Sequence, residues 1–173
     1  MTQSEIAQLG NPILRQKARL IENFNDSNLS ALIESLLQTV ASANGVGIAA
    51  PQVSQSYRLF VVASRPSIRY PHAPTMQPTV MINPQIIAHS EEKVKDWEGC
   101  LSIPGLRGLV PRYQTIEVEY YDREGQRQRQ ILTDFVARIF QHELDHLDGL
   151  VFLDRLTTNQ DLFTEQEYQK IVF

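Results

Sequence analysis

His142 and His146 stand four residues apart, with Glu143 directly after the first of them. On an α-helix, positions i and i+4 project from one face about a turn apart, so imidazoles at that spacing can hold one metal ion between them. A carboxylate beside the first histidine can reach a water on that ion, which is the chemistry of metal-assisted hydrolysis. Phe135 and Ile139 continue the same face toward the N-terminus and turn the histidines toward an apolar interior. Ordinary amphipathic helices also produce this spacing, so a third ligand must come from elsewhere. Metal sites that do chemistry keep three protein ligands and one open position.

Cys100 is the single cysteine of the chain, set within Trp97-Glu98-Gly99-Cys100-Leu101-Ser102. A free buried cysteine is usually a small hydrophobe. Beside a histidine pair, its thiolate completes a Cys/His/His set, and Gly99 lets the backbone fold tightly enough for the next N–H to face the open position. One cysteine excludes an internal disulfide and points to a reducing cytosol. The other unusual stretch is Gly45-Val46-Gly47-Ile48-Ala49-Ala50-Pro51-Gln52, whose small residues permit close backbone approach. It lacks the phosphate-loop pattern and, taken alone, reads as a helix-to-strand turn. Gln52 is its one polar side chain, an amide able to donate to a developing oxyanion.

The elements around these residues follow from periodicity. The histidine helix starts at Thr133 or Asp134 and ends at Gly149. A second helix carries Leu29, Leu32, Ile33, Leu36, Leu37 and Val40, capped by Asp26, Ser27 or Asn28 and ended by Asn44-Gly45. Strands are expected at 57–63, 79–84, 85–88, 115–121 and 126–132, with a hairpin turn at 122–125. Residues 64–78 carry four prolines and read as an inserted surface loop, and 104–111, which holds Arg107, reads as another loop. The charged run 90–95 reads as a solvated face, and His72 and His89 earn no role. Thr164-Glu165-Gln166-Glu167 looks like a capping box opening a terminal helix.

Bulk properties bound the function. The chain has 173 residues, 42% apolar and 21% charged, with neither repeats nor a dividing linker, so 1–173 is read as a single catalytic domain. A net charge of -4 argues against nucleic-acid binding. No apolar run approaches the ~20 residues that span a bilayer, and no targeting signal is visible at the start, so no membrane partner is expected and the cytoplasm is.

Taken in order, Gly45–Gln52, Glu98-Gly99-Cys100-Leu101-Ser102 and Gln141-His142-Glu143-Leu144-Asp145-His146 resemble the three signature motifs of the peptide deformylases, and Leu9-Gly10-Asn11-Pro12-Ile13-Leu14-Arg15 is similar to that family's N-terminal arm. The likeness runs from about Ile6 to about Leu156. It departs in the 64–78 loop and the tail after Leu156, which are expected to lie away from the site. The resemblance implies an α+β fold, with the metal helix central among antiparallel sheets, a helix near the N-terminus and a short one at the C-terminus. It implies an enzyme that removes the N-formyl group from the initiator methionine of new polypeptides with one divalent metal. Fe²⁺ comes first, and Zn²⁺, Ni²⁺ or Co²⁺ are accepted. By motif, Cys100, His142 and His146 are the ligands and Glu143 the general acid/base in an attack by metal-bound hydroxide. Gln52 and the Leu101 N–H form the oxyanion hole. Gly47, Gly99 and Arg107 meet the substrate chain, and Val46 and Ile139, with Leu101, wall a methionine pocket. Glu98 and Asp145 are placed to orient neighbours, Asp145 with Arg112. The partners are formylmethionyl peptides, with a transient ribosome contact that the weakly basic tail does little to support. Two rivals remain: a metallopeptidase built on His-Glu-x-x-His alone, and a deformylase-like fold that only binds peptides.

Overall fold

A computed structural model of the chain describes residues 5–172. In chain order the elements are α1 (Ser27–Ser42), β1 (Gly47–Ala49), β2 (Leu59–Val62), β3 (Thr79–His89), β4 (Lys93–Cys100), β5 (Ile103–Tyr113), β6 (Thr115–Tyr121), β7 (Arg127–Thr133), α2 (Asp134–Leu147), β8 (Leu162–Thr164) and α3 (Glu165–Val172). The strands form a five-stranded sheet, β1-β2-β3-β6-β7, and a three-stranded sheet, β4-β5-β8, with antiparallel neighbours throughout. The fold is α+β, with α2 between the two sheets.

Both faces of the larger sheet are covered, and β2 carries the signature of that in four consecutive buried residues. Phe60 and Val62 pack with Ala137, Phe140 and Leu147 of α2. Leu59 and Val61 pack on the opposite face with Leu29, Ile33, Leu36 and Val40 of α1. Asp26 caps α1 by accepting from the Asn28 N–H, and Asn44, with φ +50, ends it in the left-handed region.

Two expectations change, and a third, the solvated face at 90–95, holds. Residues 79–88 are one strand, because Asn83 makes a bulge at φ +50 while its side-chain amide takes over the pairing, accepting from Ile21 N at 2.9 Å and donating to Ile21 O at 2.8 Å. Residues 104–111 are strand, not loop. Their prolines are tolerated because β8 pairs only with Leu106–Gly108, which leaves β5 an edge at Pro104 and Pro111. The charged run 90–95 runs into β4, its mixed charge facing solvent on a strand.

Candidate active site

The inward face of α2 brings His142 and His146 under the three-stranded sheet, and both are buried. Thr133 takes the N-cap position, but its hydroxyl caps nothing; the Asp134 N–H is satisfied instead by Gln114 O at 2.8 Å. Gln141 ties the helix to β5, its amide donating to Tyr113 O at 2.9 Å and accepting from Tyr113 N at 3.0 Å. The helix ends at Gly149, φ +75, where a Cβ would stand 2.9 Å from the Arg15 backbone. Glycine is required there on both counts.

Cys100 arrives from β4, whose register slips between Glu98 and Cys100 so that Cys100 faces Ile103 across a tight turn. Its Sγ lies 3.3 Å from His146 Nε2, and one donor atom each from Cys100, His142 and His146 lies within 4.8 Å of the others. A tetrahedral ion with bonds of about 2.3 Å to sulfur and 2.0–2.1 Å to nitrogen spaces its donors by about 3.3–3.6 Å. At 3.3 Å the sulfur–nitrogen pair is within about 0.2 Å of the separation those bonds set for sulfur and nitrogen, and a thiolate with two imidazoles suits Fe²⁺, Zn²⁺, Ni²⁺ and Co²⁺. The residues fit a divalent cation.

Glu98 orients the first imidazole. Its Oε2 lies 2.9 Å from His142 Nδ1, and in the neutral tautomer that donates along this contact Nε2 keeps its lone pair. Arg112 donates to both carboxylate oxygens of Glu98, at 2.8 and 3.0 Å, and Arg138 to Oε1 at 2.9 Å. Burial alone would raise the Glu98 pKa; Arg112 and the hydrogen bonds from His142 and Arg112 overcome it and hold the carboxyl well below the usual range. Arg112 also donates to Asp145 at 2.6 Å, and Arg155 closes the chain on Asp145 at 2.6 Å. Asp145 therefore orients Arg112 directly. Burial works against a charge on His142 too, but Cys100 and Glu98 outweigh it and raise its pKa, whereas burial and the neighbouring His142 lower that of His146.

Glu143 differs from the other acids. It is buried, its Oε2 meets no hydrogen-bond donor among the described residues, and, unlike at Glu98, desolvation wins and pushes its pKa up to about 7. A carboxyl matched to neutral pH is what a general base requires. Gly47 lies over it so closely that a Cβ would stand 2.4 Å from Glu143 Oε1. Gln52 Oε1 accepts from Ala49 N at 2.8 Å, which fixes the amide, and Nε2 donates to Ser102 Oγ at 3.1 Å and lies 3.6 Å from Cys100 Sγ. The N-terminal arm braces both stretches, Ala7 N donating to Gln52 O and Leu9 N to Ser102 O, each at 2.8 Å.

These groups line an open cleft of about 400 Å³, walled by Val46, Leu101, Ile139 and Phe135 and continuing past Gly99 to Arg107. The two departing segments were expected away from it; both line it. Tyr70 of the 64–78 loop packs on Phe135, ring centroids 4.9 Å apart, with Arg69 at the rim. Glu165 and Gln169 of α3 form the far wall, and α3 is fastened by Tyr168 against Trp97. Nothing in those segments has a catalytic pattern, so sequence reasoning had no signal for them. Arg107 Nε lies 2.8 Å from Glu165 Oε2, an ion pair without hydrogen-bond alignment. A Cβ on Gly99 would fall 1.2 Å from Arg107 Nη1. The Gly99→Ala variant is expected to fold, to expel the Arg107 guanidinium and to raise KM for peptides several-fold more than it lowers kcat, as steady-state kinetics would show.

A buried carboxyl with a raised pKa beside a Cys/His/His set that could hold a metal, lining an open cleft, is the arrangement that metal-assisted hydrolysis requires. Comparison with known proteins gives the family. A family model described as polypeptide deformylase matches residues 3–161. Peptide deformylase 2 of Nostoc sp. is 66% identical over 167 residues, 96% of this chain and 93% of that protein. Peptide deformylase 2 of Shewanella oneidensis is 48% identical over 162 residues, 94% of this chain and 89% of that one. A Met-Ala-Ser-bound class I type b peptide deformylase from Acinetobacter baumannii superposes with a TM-score of 0.87 at 41% identity, covering 90% of this chain and 99% of that chain. The chain belongs to the peptide deformylase family, metal-dependent hydrolases that remove the formyl group from N-terminal formylmethionine.

Proposed function

We propose that Glu143 is the general acid/base of this deformylation, that Cys100, His142 and His146 hold the cation, and that Gln52 and the Leu101 N–H form the oxyanion hole. The observation that carries the reading is the Glu143 carboxylate, buried and unpartnered at Oε2 beside the donor set. A bound cation supplies the Lewis acidity that lowers the pKa of water from 15.7 to about 7. Glu143 Oε2 accepts the water proton as a new C–O bond forms at the formyl carbon. Charge then develops on the formyl oxygen, which takes over the Gln52 Nε2 hydrogen that otherwise faces Cys100 Sγ at 3.6 Å, the other staying on Ser102 Oγ. As the C–N bond breaks, Glu143 returns the proton to the leaving amine, giving formate and a free N-terminus. Val46, Leu101 and Ile139 receive the methionine side chain, Gly47 and Gly99 face the substrate backbone, and Arg107 meets the chain further on.

The native metal in this reading is Fe²⁺, with Zn²⁺, Ni²⁺ and Co²⁺ as substitutes, since a thiolate–imidazole set discriminates weakly among them. Residues from Asn44 to Gln169 line one cleft, which supports one catalytic domain across 1–173. Formylated nascent chains and a single reduced cysteine support a cytoplasmic site of action with transient access to the ribosome. Among the described residues no helix is long and apolar enough to cross a membrane. The test is formate release from formyl-Met-Ala-Ser, set beside acetyl-Met-Ala-Ser and an internal-bond peptide. Formate from the first alone supports the reading, whereas cleavage of internal bonds makes the chain a peptidase. The Gln52→Ala variant is expected to lose about 10²–10³ in kcat, the usual cost of one oxyanion donor, with metal content unchanged.

A further inference from the structure

Arg138 stands on α2 one turn before His142, and its guanidinium is buried. A buried cation is costly unless its donors are satisfied. Here Nη2 donates to Val94 O at 2.6 Å, while Nη1 donates to Val110 O at 2.8 Å and to Glu98 Oε1 at 2.9 Å. Val94 and Val110 belong to the two strands of the β4–β5 hairpin, so those contacts hold the hairpin on the helix. The Glu98 contact has a different consequence.

Glu98 Oε1 is shared between Arg138 Nη1 and Arg112 Nε, and Oε2 between Arg112 Nη2 and His142 Nδ1. Arg112 is also drawn to Asp145 at 2.6 Å, which is in turn held by the half-exposed Arg155. Among the described residues Arg138 pairs with no carboxylate but Glu98. It approaches the carboxylate from the helix that carries His142, while Arg112 approaches from β5. Two cations on one oxygen from different elements stop the carboxylate from rotating, which leaves the other oxygen aimed at the imidazole.

We propose that Arg138 is a positioning residue: by fixing Glu98 it orients the His142 ring, so that Nε2 presents its lone pair to the cation. This rests on the assignment of Cys100, His142 and His146 as ligands and is independent of the substrate. Residues that orient a metal-ligating histidine typically contribute 10–100-fold to metal affinity or activity.

The test uses the full chain loaded with Co²⁺, with release of the ion to a chelator followed in the visible spectrum. Arg138→Met keeps the bulk and removes the donors. It is expected to release Co²⁺ about 10–100-fold faster, to shift the Co²⁺ bands, and to lower kcat more than it raises KM. Arg138→Lys, which keeps the charge without the fork, is expected to fall between Arg138→Met and the parent. A merely structural clamp would lower Tm while leaving the Co²⁺ spectrum and release rate at parental values; that result overturns the proposal. If Arg138→Met does not fold, Arg138→Lys decides alone: faster release than the parent supports the proposal, and equal release overturns it. A parent that binds Co²⁺ but frees no formate refutes the deformylase assignment and leaves the release comparison intact.

Discussion

Replacing Glu143 by glutamine is expected to lower kcat about 10²–10⁴-fold while leaving folding and metal content intact. The substitution keeps the volume under Gly47, where there is no room for anything larger: a Cβ on that glycine would stand 2.9 Å from Ile139 Cγ2 as well as 2.4 Å from the carboxylate. It removes only the ability to take and return a proton. Among the described residues no group donates to the carboxylate's Oε2, and an unpartnered buried oxygen destabilises the fold that contains it. Glu143→Gln should therefore unfold at the parental Tm or above it, as residues kept for chemistry at a cost in stability do. Kinetics, metal analysis and thermal unfolding on one preparation check all three. Turnover within a few-fold of the parent would remove Glu143 from the mechanism, and a fall in Tm matching the loss of activity would make it structural.

How much of this was legible in the chain depends on the range of the interactions. The spacing of His142 and His146, the apolar period of α1 and the alternation of β6 are local, and the structure has α1, β6 and α2 where those patterns lie. Strand β5 was hidden because prolines mark turns unless a partner strand is short, and the length of β8 is set by tertiary pairing. In sequence Arg138 looks like a surface cation and Arg112 reads only as a partner for Asp145. Only the convergence of β4, β5 and α2 on one carboxylate shows why they are buried. Tyr70, Glu165 and Gln169 reach the cleft from segments without catalytic pattern, through packing on Phe135 and Trp97 that no local signal encodes. The chemistry was readable because it needs particular residue types at fixed spacing. Of the walls, Val46, Leu101 and Ile139 were readable through the motifs that carry or adjoin them; the rest were not, because many residue types can serve.

Cys100→Ala carries the second large effect, and its measurement is metal content. In the proposed ligand set Cys100 is the one donor that would bring negative charge to a bound cation, and it ends β4 while both imidazoles sit on α2. Removing it leaves His142 and His146 as a two-point site on α2, so affinity should fall by more than the ~10–100-fold that loss of an orienting partner costs. Protein purified anaerobically should then hold far less than one equivalent of metal and release no formate. Stability separates this outcome from a packing defect. A ligand that binds only the folded state stabilises it in proportion to RT ln(1 + [L]/Kd), so added Co²⁺ should raise the Tm of the stripped parent and barely move that of Cys100→Ala. Without metal the two should unfold at similar temperatures, since the substitution deletes one small sulfur beside Ile103 and Phe152. A Cys100→Ala protein that keeps its metal and its Co²⁺-dependent rise in Tm would mean the cation sits elsewhere, and the catalytic roles of Glu143 and Gln52 would fall with it.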